Sequence, residues 1–489
     1  MATIHASRRD LEQDDETNEA HEASVPPEAL TRGGITLAGL SGLVVTLAGL
    51  LIGLQRLQDN SFLTHLATGR LIVESGVPST DPYSFTAHGV PWTVQSWLAS
   101  VVYALVEDVA GLAGIRILVG LGSAFLAYLL WRLTRPAGAV VARAALVMPV
   151  MVIGCEMWTE RPMLYGFVGL AVVALLADGE GKAWWCVPLF AVWVNVHGSF
   201  PLGLVLVGTL LVGRRLDRQS PRRELQVLGW SVLGVLLGAV NPIGPRLLVF
   251  PLGLLAKSDV LAFIDEWKPA DFADTTTKVL VAQVAVALVL GLRLRSFRAL
   301  LPTAVFFVAA LLGSRNVGPA SIVALAGMAP GLRGIGSDRG DEPKPVFRAA
   351  ALVVGALAVL ATFGALFGGP QTALDGYPTD AVAWMDAHGY MEPDSRVITR
   401  DFVGNYLEAR YGTDVRVFMD DRYDMFPRPV VDDYIDLVRG NGDWTEIAAR
   451  WDADAVLWDE DTDLYGRLAA AEDWDVVYRD DRWIVAVPS

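Results

Sequence analysis

A polytopic α-helical membrane protein with an α/β domain at its C-terminal end is what this sequence specifies, on three grounds. About 11 apolar segments of near-membrane length follow one another between residues 34 and 368. Basic residues concentrate in alternate turns between those segments. Beyond residue 370 the chain becomes charged, aromatic and β-branched, with no apolar run longer than a strand.

Taken in order, residues 1–33 are polar and acidic (RRDLEQDDETNEAHE) and predict a disordered cytoplasmic tail. Gly34–Gln55 is 22 residues long and carries no charge. At ~1.5 Å per residue that is enough to cross ~30 Å of hydrocarbon. It lacks a small-residue cleavage site, which predicts a retained helix. A long first outer loop follows over 56–111, rich in aromatics, Leu and Val and therefore ordered. Within it FLTHLATGRLIVESG predicts an amphipathic helix, with Phe62, Leu66 and Ile72 directed at the bilayer. The run Trp92–Val109 is interrupted by Gln95, Glu107 and Asp108 and is placed as a helix lying at the outer interface or dipping partly into the membrane.

Further spans are expected at 112–131, 139–157, 163–178, 183–199, 200–213, 224–241, 279–295, 299–314, 316–332 and 347–368. With the N-terminus inside, Arg132, Arg135, Lys182, Arg214, Arg223, Arg295 and Arg348 all fall on the cytoplasmic face. The short opposite turns hold little beyond Arg161 and Arg315. The expected arrangement is a multi-pass plasma-membrane protein with a cytoplasmic N-terminus, a membrane domain over 34–369 and an extracytoplasmic α/β domain over 370–489. That last stretch holds 27 Asp and Glu against 11 Lys and Arg, so it carries essentially all of the net charge of −15. Such a balance excludes nucleic acid as its partner. SRVIT, DVRVFMDD, DAVLW, DVVYRD and WIVAV read as its strands. TDAVAWMDAHG, VVDDYIDLVRG and DWTEIAARWD read as its helices. Cys155 and Cys186 lie far apart in apolar segments and give no disulfide framework.

Polar groups that are awkward beside a bilayer gather on the outer face, and charge at that depth is a functional signal. Asp59, just past the first span, is placed to act as a general base. His65 is placed to orient it, and Arg70 to fork onto a phosphate. Asp81 sits in the turn PSTDPYSFTAHG, and Asp59, His65 and Asp81 together have the oxygen and imidazole donors of a divalent-cation site. Glu156, Glu160 and Arg161 lie in CEMWTERP, Asn195 and His197 in WVNVHGSF, Glu266 in IDEWKP and Arg315 in GSRN. Each also has a plain structural reading, as turn, cap or interfacial residue. No nucleotide-binding or zinc-hydrolase motif stands in a supporting context.

HLATGR, DPYSFTA, WVNVHGSF, NPIGP, IDEWKP, VFMDDRYDMF, DAVLW and VVYRDD resemble blocks of a branch of bacterial and archaeal membrane proteins grouped with the GT-C glycosyltransferases. That superfamily includes protein O-mannosyltransferases, aminoarabinose transferases and oligosaccharyltransferases. The resemblance implies transfer of a sugar from a polyprenyl-phosphate donor to an extracytoplasmic acceptor in the cell envelope: lipid, glycan or protein. It implies a carboxylate in the first outer loop near the end of the first span, which Asp59 matches by position; the reading adopted makes Asp59 the catalytic base or orienting carboxylate, with Glu156 or Glu160 as a second acid. Arg70, Arg161 and Arg315 would face the donor phosphate, and His65, Asp81, Asn195, His197 and Glu266 would complete the binding site. Asp420, Asp421 and Arg422 would serve an acceptor-positioning domain. The chain departs from the branch at Ser61, Leu63 and Thr64, where a second acid and a Trp pair are usual. Two other classes remain: a non-catalytic envelope scaffold, and a transporter, which the scarcity of mid-membrane polar residues disfavours.

Overall fold

The computed structural model describes residues 34–261, 263–334 and 342–489; the expected tail over 1–33 lies outside them. The helical part runs α1 (Leu37–Gly53), α2 (Asn60–Ser75), α3 (Trp97–Leu133), α4 (Val140–Met157), α5 (Met163–Ala177), α6 (Cys186–Val196) and α7 (Phe200–Leu216). It continues with α8 (Arg222–Gly238), α9 (Arg246–Leu255), α10 (Ser258–Leu261), α11 (Thr275–Leu294), α12 (Phe297–Leu312), α13 (Val317–Met328) and α14 (Pro345–Phe367).

Every apolar segment expected to span coincides with one of these helices. Among the described residues four helices are long and apolar enough to cross a membrane: Trp97–Ala137, Val140–Met157, Thr275–Leu294 and Pro345–Phe367. Eleven crossings therefore remain an expectation of the sequence. The others are cut short by breakers, as where Gly198 and Ser199 separate α6 from α7. On α14 Ala365 is buried, while Leu352, Val359 and Phe367 stand exposed, as a lipid-facing helix requires.

The Trp92–Val109 run is helical from Trp97, and Gly111, where φ is +63°, breaks that stretch from the rest of α3. One expectation is corrected: α2 does not lie on the bilayer. Phe62, Leu66 and Ile72 are buried in protein, because α3 covers one side of α2 and a helix of the C-terminal region covers the other. The α2–α3 crossing is so close that a Cβ added at Gly69 would stand 1.9 Å from the Ser100 carbonyl oxygen.

The C-terminal part comprises α15 (Thr379–Ala387), β1 (Arg396–Ile398), α16 (Asp401–Tyr411), β2 (Arg416–Val417), α17 (Arg428–Arg439), α18 (Trp444–Arg450), β3 (Ala455–Asp459), α19 (Asp463–Leu468), β4 (Trp474–Arg479) and β5 (Trp483–Pro488). Its sheet has the order β2-β1-β3-β5-β4. β1 pairs in parallel with β2 and β3, while β5 runs antiparallel to β3 and β4. β3 is buried along its whole length, which suits its apolar sequence AVLWD.

The first outer loop is bonded to this sheet. Phe85 N–H donates to the Val417 carbonyl at 3.1 Å, and Val417 N–H donates to the Tyr83 carbonyl at 3.2 Å. The Thr86 hydroxyl donates to the Phe418 carbonyl at 2.5 Å. At the other end of the loop, Leu57 N–H donates to the Gln371 carbonyl at 3.0 Å and Ala373 N–H to the Leu57 carbonyl at 2.8 Å. The loop is thus clamped between helices and sheet, and α2 is held with it.

Candidate active site

A cavity of about 470 Å³ opens where the helical body, the first loop and the C-terminal region meet. Among its walls are His65, Arg161, His197, Glu266, Arg315 and Asp421.

Its first wall is the start of α2. Asp59 caps that helix, its Oδ1 accepting from Ser61 N–H at 3.0 Å, which satisfies a free donor of the first turn. Its Oδ2 accepts from Arg161 Nε at 2.5 Å. Glu160 Oε1 accepts from the backbone N–H groups of Gln58 (2.6 Å) and Asp59 (2.7 Å), fixing the turn that presents Asp59. Burial raises the Glu160 carboxyl to about 7. The Glu160 carbonyl in turn accepts from the Tyr103 hydroxyl at 2.6 Å.

The second wall is built from two short 3-10 turns, Asp265–Trp267 and Ser314–Asn316. They are tied by Ser314 N–H donating to the Lys268 carbonyl at 3.0 Å and the Ser314 hydroxyl donating to the Glu266 carbonyl at 3.2 Å. Arg161 also pairs with Glu266. Arg315 reaches Glu266 only at 3.9 Å, and its guanidinium lies 4.2 Å over the Trp267 ring. Among the described residues no other carboxylate is within salt-bridge reach of Arg315.

Burial, with Arg161 and then Arg422 adding to it, lowers His65 to about 4. His65 Nδ1 shares a hydrogen bond with Ser100 Oγ at 3.0 Å. Ser199 N–H donates to His197 Nδ1 at 3.1 Å, which leaves Nε2–H as that ring's donor.

The third wall comes from the segment after β2. Sequence reading took DVRVFMDD as one strand, but β2 ends at Val417 and the chain turns to present Asp420–Asp424. Arg422 is buried among three carboxylates: Asp420 (2.5 Å), Asp81 (2.7 Å) and Glu408 (3.6 Å). Its guanidinium also lies 4.3 Å over Trp92. The Thr64 hydroxyl donates to Glu408 Oε2 at 2.6 Å. Burial and the Asp420 charge hold the Glu408 carboxyl well above its ordinary range. Asp421 accepts from the Ser61 hydroxyl.

Seven of the residues named from sequence therefore line the cavity: His65, Arg161, His197, Glu266, Arg315, Asp421 and Arg422. Asp59 and Glu160 stand behind Arg161 and shape it. Asp81 serves Arg422. The other three are elsewhere. Arg70 pairs with Glu107 and donates to the Ala409 carbonyl at 2.6 Å, pinning α2 to α3 and α16. Asn195 accepts from Trp97 Nε1 at 2.8 Å and donates to the Ala191 and Gly238 carbonyls, joining three helices. Glu156 is exposed at the end of α4. Asp59, His65 and Asp81 each have separate partners, and among the described residues no group of three His, Cys, Asp or Glu could hold a metal ion. The donor set thus does not fit the divalent cation considered from sequence, and no chemical step is assigned to one. Ser61, Trp92, Asp401 and Asp424 line the cavity without having been predicted; the acidic run after β2 was the one signal pointing that way.

The fold is similar to that of the archaeal oligosaccharyltransferase AglB from Archaeoglobus fulgidus, whose structure contains an inhibitory peptide and a dolichol-phosphate. The likeness covers 86% of this chain and 69% of that one, at 13% identity and a TM-score of 0.50. An apo structure of the Archaeoglobus fulgidus oligosaccharyltransferase aligns over the same shares at 13% identity and a TM-score of 0.46. No protein-family model matches the chain, and no curated protein does.

Proposed function

We propose that this protein is a membrane glycosyltransferase that moves a sugar from a polyprenyl-phosphate donor to an acceptor outside the membrane. The observation that carries this reading is Arg315. A guanidinium facing a cavity, with one distant carboxylate and a tryptophan face as partners, is under-neutralised. An anion with paired oxygens, such as a phosphate, meets that deficit. Arg161 stands on the same cavity, so the two guanidinium groups can share the charge that develops on a departing lipid phosphate. Asp59 is the orienting carboxylate that aims Arg161, and Glu160 fixes the turn holding Asp59. The rings of His65 and His197, both on the cavity wall, serve as donors to sugar or phosphate. Displacement at the anomeric carbon is inverting, and the region 370–489 carries the acceptor side. The fold-level likeness to a protein whose structure contains a dolichol-phosphate supports a lipid-linked donor in general.

The test is decaprenyl phosphate binding to the purified chain, wild type against Arg315→Ala. Loss of one charge-assisted phosphate contact, about 1.5–3 kcal/mol, corresponds to roughly 10–150-fold weaker binding. Binding unchanged by Arg315→Ala counts against the reading.

A further inference from the structure

The glycosyltransferase reading leaves open which group receives the acceptor's proton. Asp59 is poorly placed for it. Oδ1 is taken by the Ser61 amide, Oδ2 by Arg161, and the residue is not part of the cavity wall. Glu266 is shared between Arg161 and Arg315. Asp401 accepts from the Tyr423 and Tyr434 hydroxyls, each at 2.9 Å. Asp421 differs from all three. It lines the cavity, its Oδ2 accepts from the Ser61 hydroxyl, and among the described residues Oδ1 accepts from no protein donor. Its own N–H donates to Asn405 Oδ1 at 3.2 Å, which anchors the backbone on α16. Asp424 shares the cavity, but the charges acting most on it, Lys257 and Arg422, favour its ionised form, whereas the charge acting most on Asp421 is that of Asp420, which favours holding a proton.

Resting on the reading above, we propose that Asp421, supplied by the C-terminal region, is the general base of the transfer. The acceptor oxygen bonds to the anomeric carbon, and the bond from that carbon to the phosphate oxygen breaks. Its electron pair leaves on the lipid phosphate beside Arg161 and Arg315, and the acceptor proton passes to Asp421 Oδ1. One carboxylate charge is lost and one phosphate charge is gained, so the step balances.

Burial, then the Asp420 charge, raises the Asp421 carboxyl to about 7, against the opposing pull of Ser61 and Arg161. A base is most effective near the operating pH. The groups facing it are Asp420 on its own segment, Asp59 and Ser61 at the start of α2, Arg161 before α5 and the Tyr377 phenol, with Asp401, Arg422 and Asp424 on the same cavity.

The experiment uses the full chain and synthetic decaprenyl-phosphate hexoses and pentoses, with water as acceptor, so that no natural acceptor is needed. Asp421→Asn is expected to lower hydrolysis by ~100-fold or more. It should also abolish the acidic limb of the pH profile and leave decaprenyl phosphate binding within about twofold. Ser61→Ala removes the hydrogen bond that favours the carboxylate, and should move that limb to higher pH while retaining activity above it. Hydrolysis and limb both surviving in Asp421→Asn overturn the assignment while the transferase reading stands. Loss of decaprenyl phosphate binding in Asp421→Asn makes the residue structural and also overturns it. A wild type that turns over no donor overturns the transferase reading, and this inference with it.

Discussion

Arg422 shows how much one residue holds in place. Its charge faces Asp81, Asp420 and Glu408, all buried, and its flat face covers Trp92. Removing a single partner from such a group strands charges that water cannot reach, at a cost of about 3–5 kcal/mol. Arg422→Ala is therefore expected to lower the thermal unfolding midpoint sharply in detergent, and a shift of a degree or less would contradict the account. Glu160 gives a pH-dependent counterpart. Its carboxyl binds a proton up to about 7 in the folded chain and releases it near 4.5 when unfolded. Its contribution is thus complete below the lower value and drains away as pH rises through the higher one. Melting in detergent should fall from about pH 5 to about pH 7.5, and less steeply in Glu160→Gln. At this scale the sequence was only half readable. It flagged Arg70 and Arg161 alike, because a charge near a bilayer needs a partner. It could not say that Arg70 finds Glu107 and a carbonyl of α16, whereas Arg161 finds Asp59 and the cavity.

Among the elements, α2 decides the geometry of the site. It carries Asp59 at its cap and both Ser61 and His65 on the cavity side, and it is seated through Gly69 against α3. Gly69→Ala pushes a methyl group into the Ser100 carbonyl and displaces the helix that His65 and Ser100 link. The expected cost is about 1–3 kcal/mol, with lower donor turnover. Gly355→Ala, on a helix where an added Cβ meets nothing within 4 Å, is the matched control and should change neither. Most helices and all five strands were legible as periodic apolar patterns. The covering of α2 was not, since an apolar stripe looks the same whether lipid or protein lies against it. α16 was missed as well. DFVGNYLEARY mixes Gly, Asn and charge in its interior, because Asn405 and Glu408 bond to site segments rather than to a core.

For the whole molecule, the proposed orientation makes a direct prediction. With Cys155 and Cys186 replaced by Ser, a cysteine at Asp461 should react with a membrane-impermeant maleimide in intact cells. One at Arg218 should react only after permeabilisation, and the reverse pattern would invert the topology. The cavity joins residues about 360 positions apart, as the Ser61–Asp421 contact shows. During synthesis at ~5–20 residues per second, the first loop precedes its C-terminal cover by roughly 20–70 s. Through that interval Thr64 and Thr86, which in the finished fold donate to Glu408 and to the Phe418 carbonyl, have no partner on that side. A ribosome-bound chain is therefore inert towards its donor, and its need for chaperoning is greatest at the segment that will carry the chemistry.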